Sequence, residues 1–172
     1  MIHLRIDLAW QTDNFEGELL MKEFKNIFQE PTDKTPQVDF NYITGELILA
    51  GRSIPENATE IYEPLYNWVN EYSKNARQTT NLRLNLEYFN TASSIWLAKI
   101  VKSLSRIEDP ESILFIHLYF GIEEFDNMDV EDIKDALSHV VDIINNSTIS
   151  IGIKLYGTDG KGNIIKESMV LI

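Results

Sequence analysis

The sequence contains no cysteine, and this absence excludes several kinds of site at once. A structural disulfide, a thiolate zinc site and a cysteine nucleophile all need a residue that the chain lacks. Histidine is scarce as well. His3, His117 and His139 lie far apart and do not have the spacing typical of metal ligands. We therefore predict no metal site, no cofactor and no catalytic residues built on these side chains.

Basic residues and long apolar runs are also in short supply. The 15 lysines and arginines are outnumbered by 27 acidic residues, so the formal charge is −12. An acidic surface repels phosphate backbones, and we expect neither nucleic acid nor an anionic membrane as a partner. No apolar run reaches the roughly 18 residues of a membrane span, and the N-terminus does not read as a signal peptide. We expect a cytoplasmic protein with protein partners.

What is present has the composition of one folded domain. Hydrophobic residues make up 44% of the chain and charged residues 24%, which is usual for globular proteins. The 172 residues are enough to bury a core. Because no repeat, low-complexity segment or linker divides the chain, we predict a single domain over residues 1–172.

The spacing of apolar residues predicts alternating strands and helices. Alternation with a period of two indicates strands, and a period near 3.6 indicates helices. Strands are predicted at 1–9, 81–88, 113–120, 149–155 and 163–172, and a hairpin at 38–50. Helices are predicted at 57–74, 94–105 and 129–145, with a further short helix within 16–28. Strand–helix–strand units favour parallel neighbours, while hairpins add antiparallel ones. The predicted fold class is therefore α/β, with a mixed β-sheet packed by about three to four helices.

Local signals predict how some elements are joined. Pro31 and Pro36 bound a segment that we expect to be a stiff, extended connector. Asn57 with Glu60 three residues later resembles a capping pair. Pro64 cannot donate a backbone N–H, so we expect a kink or a second helix start there.

The turn after strand 81–88 is the first candidate site. It contains three hydroxyls, those of Thr91, Ser93 and Ser94, directly before or within the start of a helix. A helix N-terminus has unpaired N–H groups and a positive dipole end, which stabilise a phosphate. The same residue types are the usual N-caps, so simple capping is the more frequent role for such a turn.

The second candidate segment is 51–57, with the sequence Gly-Arg-Ser-Ile-Pro-Glu-Asn. Gly51 permits tight geometry and Pro55 suits the start of a helix. The alternative is a simple connector between a strand and a helix. Ser53 has no histidine near it in sequence, so it is a poor candidate for a nucleophile.

Three segments taken together resemble the SiaC family of bacterial regulatory phosphoproteins. They are TPQVDF at 35–40, GRSIPEN at 51–57 and LEYFNTASS at 86–94. The resemblance covers roughly residues 21–156, with 1–20 as an N-terminal extension and 157–172 as a C-terminal hairpin extension. It implies a STAS-like fold, similar to anti-sigma-factor antagonists, and a non-enzymatic role.

The resemblance also implies a phosphorylation switch. Its acceptor is the threonine of an Asn-Thr-x-Ser turn, here Thr91. The expected partners are a kinase of the histidine-kinase-like ATPase type, a metal-dependent phosphatase, and a target such as a diguanylate cyclase that the unphosphorylated form activates. The residues expected to shape the turn or contact the partner are Arg52, Ser53, Glu56, Asn90, Ser93 and Ser94.

Two other functional classes stay open from the residues alone. A small enzyme would use segments 51–57 and 90–94 as a pocket, but it would need a base and an oxyanion site, which the sequence does not reveal. A structural or oligomeric module would exchange its terminal strands between chains.

Overall fold

A mixed seven-stranded sheet organises the part of the chain that the structure, a computed structural model, describes: residues 24–128 and 146–171. The strand predicted at 1–9 and the helix predicted at 129–145 lie outside these described residues. So does most of the short helix predicted within 16–28.

The strands follow one another across the sheet in the order of the sequence. They are β1 (Ile27–Gln29), β2 (Gln37–Asn41), β3 (Glu46–Ser53), β4 (Thr79–Phe89), β5 (Ile113–Gly121), β6 (Ser150–Thr158) and β7 (Ile164–Leu171). The helices are α1 (Ala58–Tyr72), α2 (Thr91–Leu104) and α3 (Ile122–Asn127). Strands β3 to β6 are parallel neighbours, whereas β1, β2 and β7 add antiparallel edges. The predicted mixed α/β architecture is confirmed. None of the described helices combines the length and apolar character needed to cross a membrane.

The predicted hairpin at 38–50 is confirmed in its register. Val38 lies opposite Leu49, and Phe40 lies opposite Leu47. All four side chains are buried because alternate residues of each strand face the helices. Gly45 closes the loop with a φ of +74°, a conformation that favours glycine.

The core lies between the sheet and the two long helices. Both helices connect parallel strands, so each packs its apolar stripe back onto the sheet. The buried residues of α1 include Tyr62, Leu65, Trp68, Val69 and Tyr72, and those of α2 include Leu97, Ile100, Val101 and Leu104. They contact buried strand residues such as Leu82 and Leu114 in one hydrophobic cluster. Burial of this kind contributes about 25 cal/mol per Å² of apolar surface.

A buried histidine links strands β4, β5 and β6. His117 Nε2 donates to Asn81 Oδ1 at 2.8 Å, and the Tyr156 hydroxyl donates to His117 Nδ1 at 2.9 Å. Burial lowers the pKa of His117 to about 4, with the positive charges of Arg83 and Lys154 adding to the effect. The imidazole is therefore neutral at pH 7, with the proton on Nε2. It joins β4, β5 and β6 through hydrogen bonds.

The N-terminal part of the described residues differs from expectation in two places. Ile27–Gln29 form strand β1, which was not predicted, because their backbone pairs with β2, with Phe28 opposite Asp39. Segment 31–36 is turned rather than extended. Thr32 N–H donates to the Thr35 carbonyl at 2.9 Å, and their hydroxyls are 2.7 Å apart.

The start and middle of α1 also differ from expectation. Asn57 is the N-cap residue but makes no side-chain cap; its amide instead donates to Glu60 Oε1 at 2.9 Å. Pro64 lies inside one continuous helix. Its ring is exposed while Tyr62 and Leu65 beside it are buried, so the sheet holds the backbone helical although one N–H is missing.

Candidate functional site

The two candidate segments meet where the parallel strands β3 and β4 end. Ser53, the last residue of β3, lies beside Phe89, the last residue of β4. The backbone N–H of Asn90 then donates to the Ser53 carbonyl at 3.0 Å. A β-bulge between Gly51 and Arg52 shifts the register just before this point. Strand ends thus bring segments 51–57 and 90–94 together.

Asn90 caps helix α2 and ties it to segment 51–57. Its Oδ1 accepts from the Ser93 N–H at 2.9 Å, and its amide donates to the Pro55 carbonyl at 3.3 Å. The predicted helix start at 94 is therefore wrong, since α2 begins at Thr91. Asn90 therefore provides the side-chain cap of α2, and the Thr91 hydroxyl takes no part in it.

A chain of buried hydroxyls lies beneath the turn. The Tyr62 hydroxyl is 2.6 Å from Ser53 Oγ, which donates to Ser93 Oγ at 2.9 Å. Ser93 Oγ donates in turn to the Ser53 carbonyl at 3.0 Å. Burial raises the pKa of Tyr62, while its two serine contacts act in the opposite direction. Since the Ser53 hydroxyl donates to Ser93, the Tyr62 hydroxyl donates to Ser53.

Ser53 and Ser93 are placed to support the turn rather than to contact a partner. Both residues are 0% exposed. The hydroxyls of Tyr62, Ser53 and Ser93 all have a hydrogen-bond partner within this buried network. The sequence-based expectation of direct partner binding is therefore revised for these two residues. Their burial also leaves no free nucleophile in this pair. The sequence offered no signal for the burial, because the two serines are 40 positions apart.

Three large apolar side chains within four residues of Thr91 in sequence are exposed. Thr91 and Ala92 are exposed at the start of α2. Tyr88 is 62% exposed, Phe89 49% and Ile95 55%. We call Tyr88, Phe89 and Ile95 the apolar collar. Tyr88 and Phe89 are the last residues of β4, whose end extends past the core.

The other predicted partner-binding residues lie at the rim of the turn. Arg52 is exposed on β3. Glu56 is exposed and forms an ion pair with Lys34, whose hydrogen bond and charge lower the pKa of the Glu56 carboxyl. An ion pair this exposed adds little to stability. Ser94 donates its hydroxyl to the Thr91 carbonyl at 2.8 Å. Arg52, Glu56 and Ser94 thus remain available to a partner.

Replacing Ser93 by alanine is expected to lower the free energy of unfolding by about 1–2 kcal/mol. The change removes the bond to the Ser53 carbonyl and takes away the acceptor of the Ser53 hydroxyl. Ser94→Ala is the matched control, because its bond is local and partly exposed, and we expect a loss within about 0.5 kcal/mol. Urea denaturation measures both. Equal losses would show that the buried chain does not stabilise the turn.

In the described residues, neither a candidate metal site nor the groove between α1 and α2 lies at segments 51–57 and 90–94. Within 24–128 and 146–171, no group of three or more histidine, aspartate or glutamate side chains is placed to hold a metal ion. An open groove of about 550 Å³ lies between α1 and α2, and none of residues 51–57 or 90–94 lines it. This groove therefore lends no support to an enzyme pocket at segments 51–57 and 90–94.

Comparison with known families gives one match that covers most of the chain. The profile of the SiaC family regulatory phosphoproteins matches residues 29–147. A curated relative, an uncharacterized protein of Pseudomonas aeruginosa strain UCBPP-PA14, is 32% identical over 62 residues. That alignment covers 36% of this chain and 49% of the relative, so the chain spans about half the length of the relative it matches.

Solved structures with the same fold include two of SiaC from Pseudomonas aeruginosa. Apo-SiaC is 19% identical, with a TM-score of 0.56, and the match covers 75% of this chain and 98% of that one. SiaC in complex with the diguanylate cyclase SiaD, of which it is the activator, is also 19% identical, with a TM-score of 0.58 and coverages of 76% and 99%. At this identity the likeness establishes the fold, and it confirms the predicted fold class.

Proposed function

This chain belongs to the SiaC family of regulatory phosphoproteins, and from that premise we propose that it is a non-enzymatic regulator switched by phosphorylation of Thr91. The observation that supports this proposal most is the position of Thr91. It is exposed at the first residue of α2, next to a neighbour that already caps the helix. A kinase can reach this hydroxyl without breaking any hydrogen bond that holds the turn.

The local electrostatics favour a phosphate at this position. Helix α2 runs from Thr91 to Leu104 and has no acidic residue in its first turn. Its N-terminus carries the positive end of the helix dipole, which stabilises a negative group by about 0.3–1 kcal/mol at an exposed site. Modification of Thr91 is therefore expected to leave the fold intact. The switch acts on the surface and not on stability.

The apolar collar supports a protein partner at the same place. Tyr88, Phe89 and Ile95 are large, exposed side chains around Thr91, and aromatic residues are enriched at protein interfaces. In the proposed switch the unphosphorylated collar is covered by a signalling target. Arg52, Glu56, Asn90 and Ser94 would contribute polar contacts at its rim, and buried Ser53 and Ser93 would hold the turn in shape.

The proposed partners follow from the family and from the chemistry of the modification. The target would be a diguanylate cyclase, because SiaC of Pseudomonas aeruginosa, which has the same fold, is the activator of one. A histidine-kinase-like protein kinase would phosphorylate Thr91, and a metal-dependent phosphatase would remove the phosphate. Such a system would work in the cytoplasm, where ATP is available to the kinase.

Co-expression with candidate kinases of the same genome tests the switch. We expect intact-mass measurement to show one added phosphate, and fragmentation to place it on Thr91. The Thr91→Ala variant is expected to stay unmodified, while the Ser94→Ala control is modified like the original chain. Phosphate on Ser94, or scattered over surface serines, would show that Thr91 is not the acceptor.

A further inference from the structure

A second surface of the molecule, whose lining does not include the residues of the apolar collar, has features of a docking site. It is the open groove of about 550 Å³ between α1 and α2. We call it the α1–α2 groove. Its walls are the solvent-facing sides of two neighbouring helices, whose opposite sides pack on the sheet. A valley between two adjacent helices has the shape that a third helix occupies by ridge-into-groove packing.

The groove is basic on a chain that is strongly acidic. Lys74, Lys99, Lys102 and Arg106 line it. Two carboxylates, Glu63 and Glu108, are also present, so the four cations leave the lining at +2. The whole chain carries −12. A basic lining of this kind favours an acidic partner, whereas two whole chains of −12 each repel one another at long range.

Three of these cations form one stripe over the last turns of α2 and the turn that follows it. Lys99 and Lys102 lie on α2 at a spacing of three, which places them on one face of the helix. Arg106 follows in the turn after the Ser105 C-cap, where its backbone N–H donates to the Ser103 carbonyl at 3.1 Å. Within residues 24–128 and 146–171 none of the three pairs with a carboxylate, whereas Lys74 pairs with Glu71. Their charges are therefore available to a binding partner.

One end of the groove is aromatic. The rings of Tyr66 and Trp96 meet edge to face with their centroids 6.0 Å apart. Lys99 Nζ lies 4.1 Å from the centre of the Trp96 ring, in cation–π contact. Both aromatic residues are half-buried, so each presents apolar surface to an occupant. The groove thus offers an apolar contact followed by three regularly spaced positive charges.

From this pattern we propose that the α1–α2 groove docks an acidic amphipathic helix of a partner protein, with its carboxylates along Lys99, Lys102 and Arg106 and an apolar side chain against Tyr66 and Trp96. Carboxylates at spacings of three and four on such a helix lie on one face, so they can approach Lys99, Lys102 and Arg106 together. The proposal goes beyond the Thr91 switch, because the groove lining does not include the Thr91 turn.

A designed peptide tests this docking directly. The probe is a fluorescein-labelled helical peptide with glutamates at spacings of three and four and one leucine a turn before the first. Fluorescence anisotropy with the full chain is expected to give saturable binding that weakens as salt rises. A second peptide with glutamine in place of each glutamate is expected not to bind. Failure of the acidic peptide to bind at low salt would overturn the proposal.

Charge-reversed variants locate the binding. Lys102→Glu/Arg106→Glu is expected to weaken the affinity by at least about tenfold, because it places like charges opposite the peptide. The matched control, Lys25→Glu/Lys161→Glu, makes the same change in net charge at exposed lysines outside the groove. We expect it to change the affinity by less than about twofold.

Three outcomes would contradict the assignment. Equal weakening by the two double variants would indicate general charge attraction. Binding of ATP that depends on Lys102 and Arg106, without binding of the peptide, would indicate a site for a small polyanion. Circular dichroism checks that each variant is folded. Should the reversed pair unfold, Lys102→Gln/Arg106→Gln replaces it, and unchanged affinity in that variant would also overturn the proposal.

Discussion

Phosphorylation of Thr91 is expected to weaken binding to the proposed target, a diguanylate cyclase, by at least about 100-fold, or about 2.7 kcal/mol. An unpaired or like-charge contact at an interface costs several kcal/mol. The phosphate adds about −1.5 to −2 charges at pH 7. It would stand among Tyr88, Phe89 and Ile95, where a partner has to remove water. A charge without a partner there opposes that desolvation.

Isothermal titration calorimetry on four forms of the chain (unmodified, phosphorylated, Thr91→Ala and Thr91→Glu) separates the charge from other effects. Thr91→Ala is expected to bind like the unmodified chain and to be insensitive to the kinase. Thr91→Glu is expected to weaken binding less than phosphate does, since a carboxylate carries one charge and less bulk. Tighter binding of the phosphorylated form would reverse the direction of the proposed switch.

Stability measurements on Thr91→Ala distinguish a switch residue from a structural one. Thr91 is exposed, and the side-chain cap of α2 comes from Asn90. We therefore expect its free energy of unfolding to change by no more than about 0.5 kcal/mol. If Thr91→Ala unfolds the domain, the residue is structural, and the assignment of Thr91 as the acceptor loses its main support.

Gly45→Ala is expected to lower the free energy of unfolding by about 2–4 kcal/mol. Gly45 has a φ of +74°, which alanine adopts at a cost. An added Cβ would also lie 2.5 Å from the Thr79 carbonyl oxygen and 3.2 Å from Arg77 Cβ. The backbone cannot move away freely, because the Gly45 N–H and carbonyl bond to Asn41 and Asn81.

Gly51→Ala is the control that separates backbone strain from collision. Gly51 has a φ of +92°, but an added Cβ would have no neighbour within 4 Å. We expect it to lose about 1 kcal/mol, from the backbone conformation alone. Urea denaturation of both variants gives the comparison. A loss at Gly51 as large as that at Gly45 would show that the contact with Thr79 has little energetic weight.

Much of the fold could be predicted from local periodicity. The hairpin around Gly45 and strand β4, predicted at 81–88, are where the alternation placed them to within three residues, and β5 begins at the predicted Ile113. Alternation reports which face of a strand is buried, and it does so residue by residue. The errors came where hydrogen bonds to a neighbour outweighed local preference. Strand β1 is the clearest case, since its three residues are ordered by pairing with β2.

The candidate site could be predicted in its position but not in its construction. The Asn-Thr-x-Ser turn was recognisable from residues 90–93, and α2 begins within it. The division of roles was not recognisable, because three hydroxyls close together in sequence have the same local chemistry. Ser93 is buried, Thr91 is exposed and Ser94 bonds to the backbone beside it. Only the packing of α2 against β3 and α1 separates them.

The sequence by itself determined the alternating strands and helices and the glycine of the hairpin, because each depends on neighbours within a few positions. Tertiary structure alone decided which hydroxyl is exposed. It also decided that the hydroxyls of Tyr62, Ser53 and Ser93 form one buried network, and that Lys99, Lys102, Arg106 and Tyr66 line the same α1–α2 groove. These contacts join different elements, and the free energy that forms them comes from burying the shared core between helices and sheet.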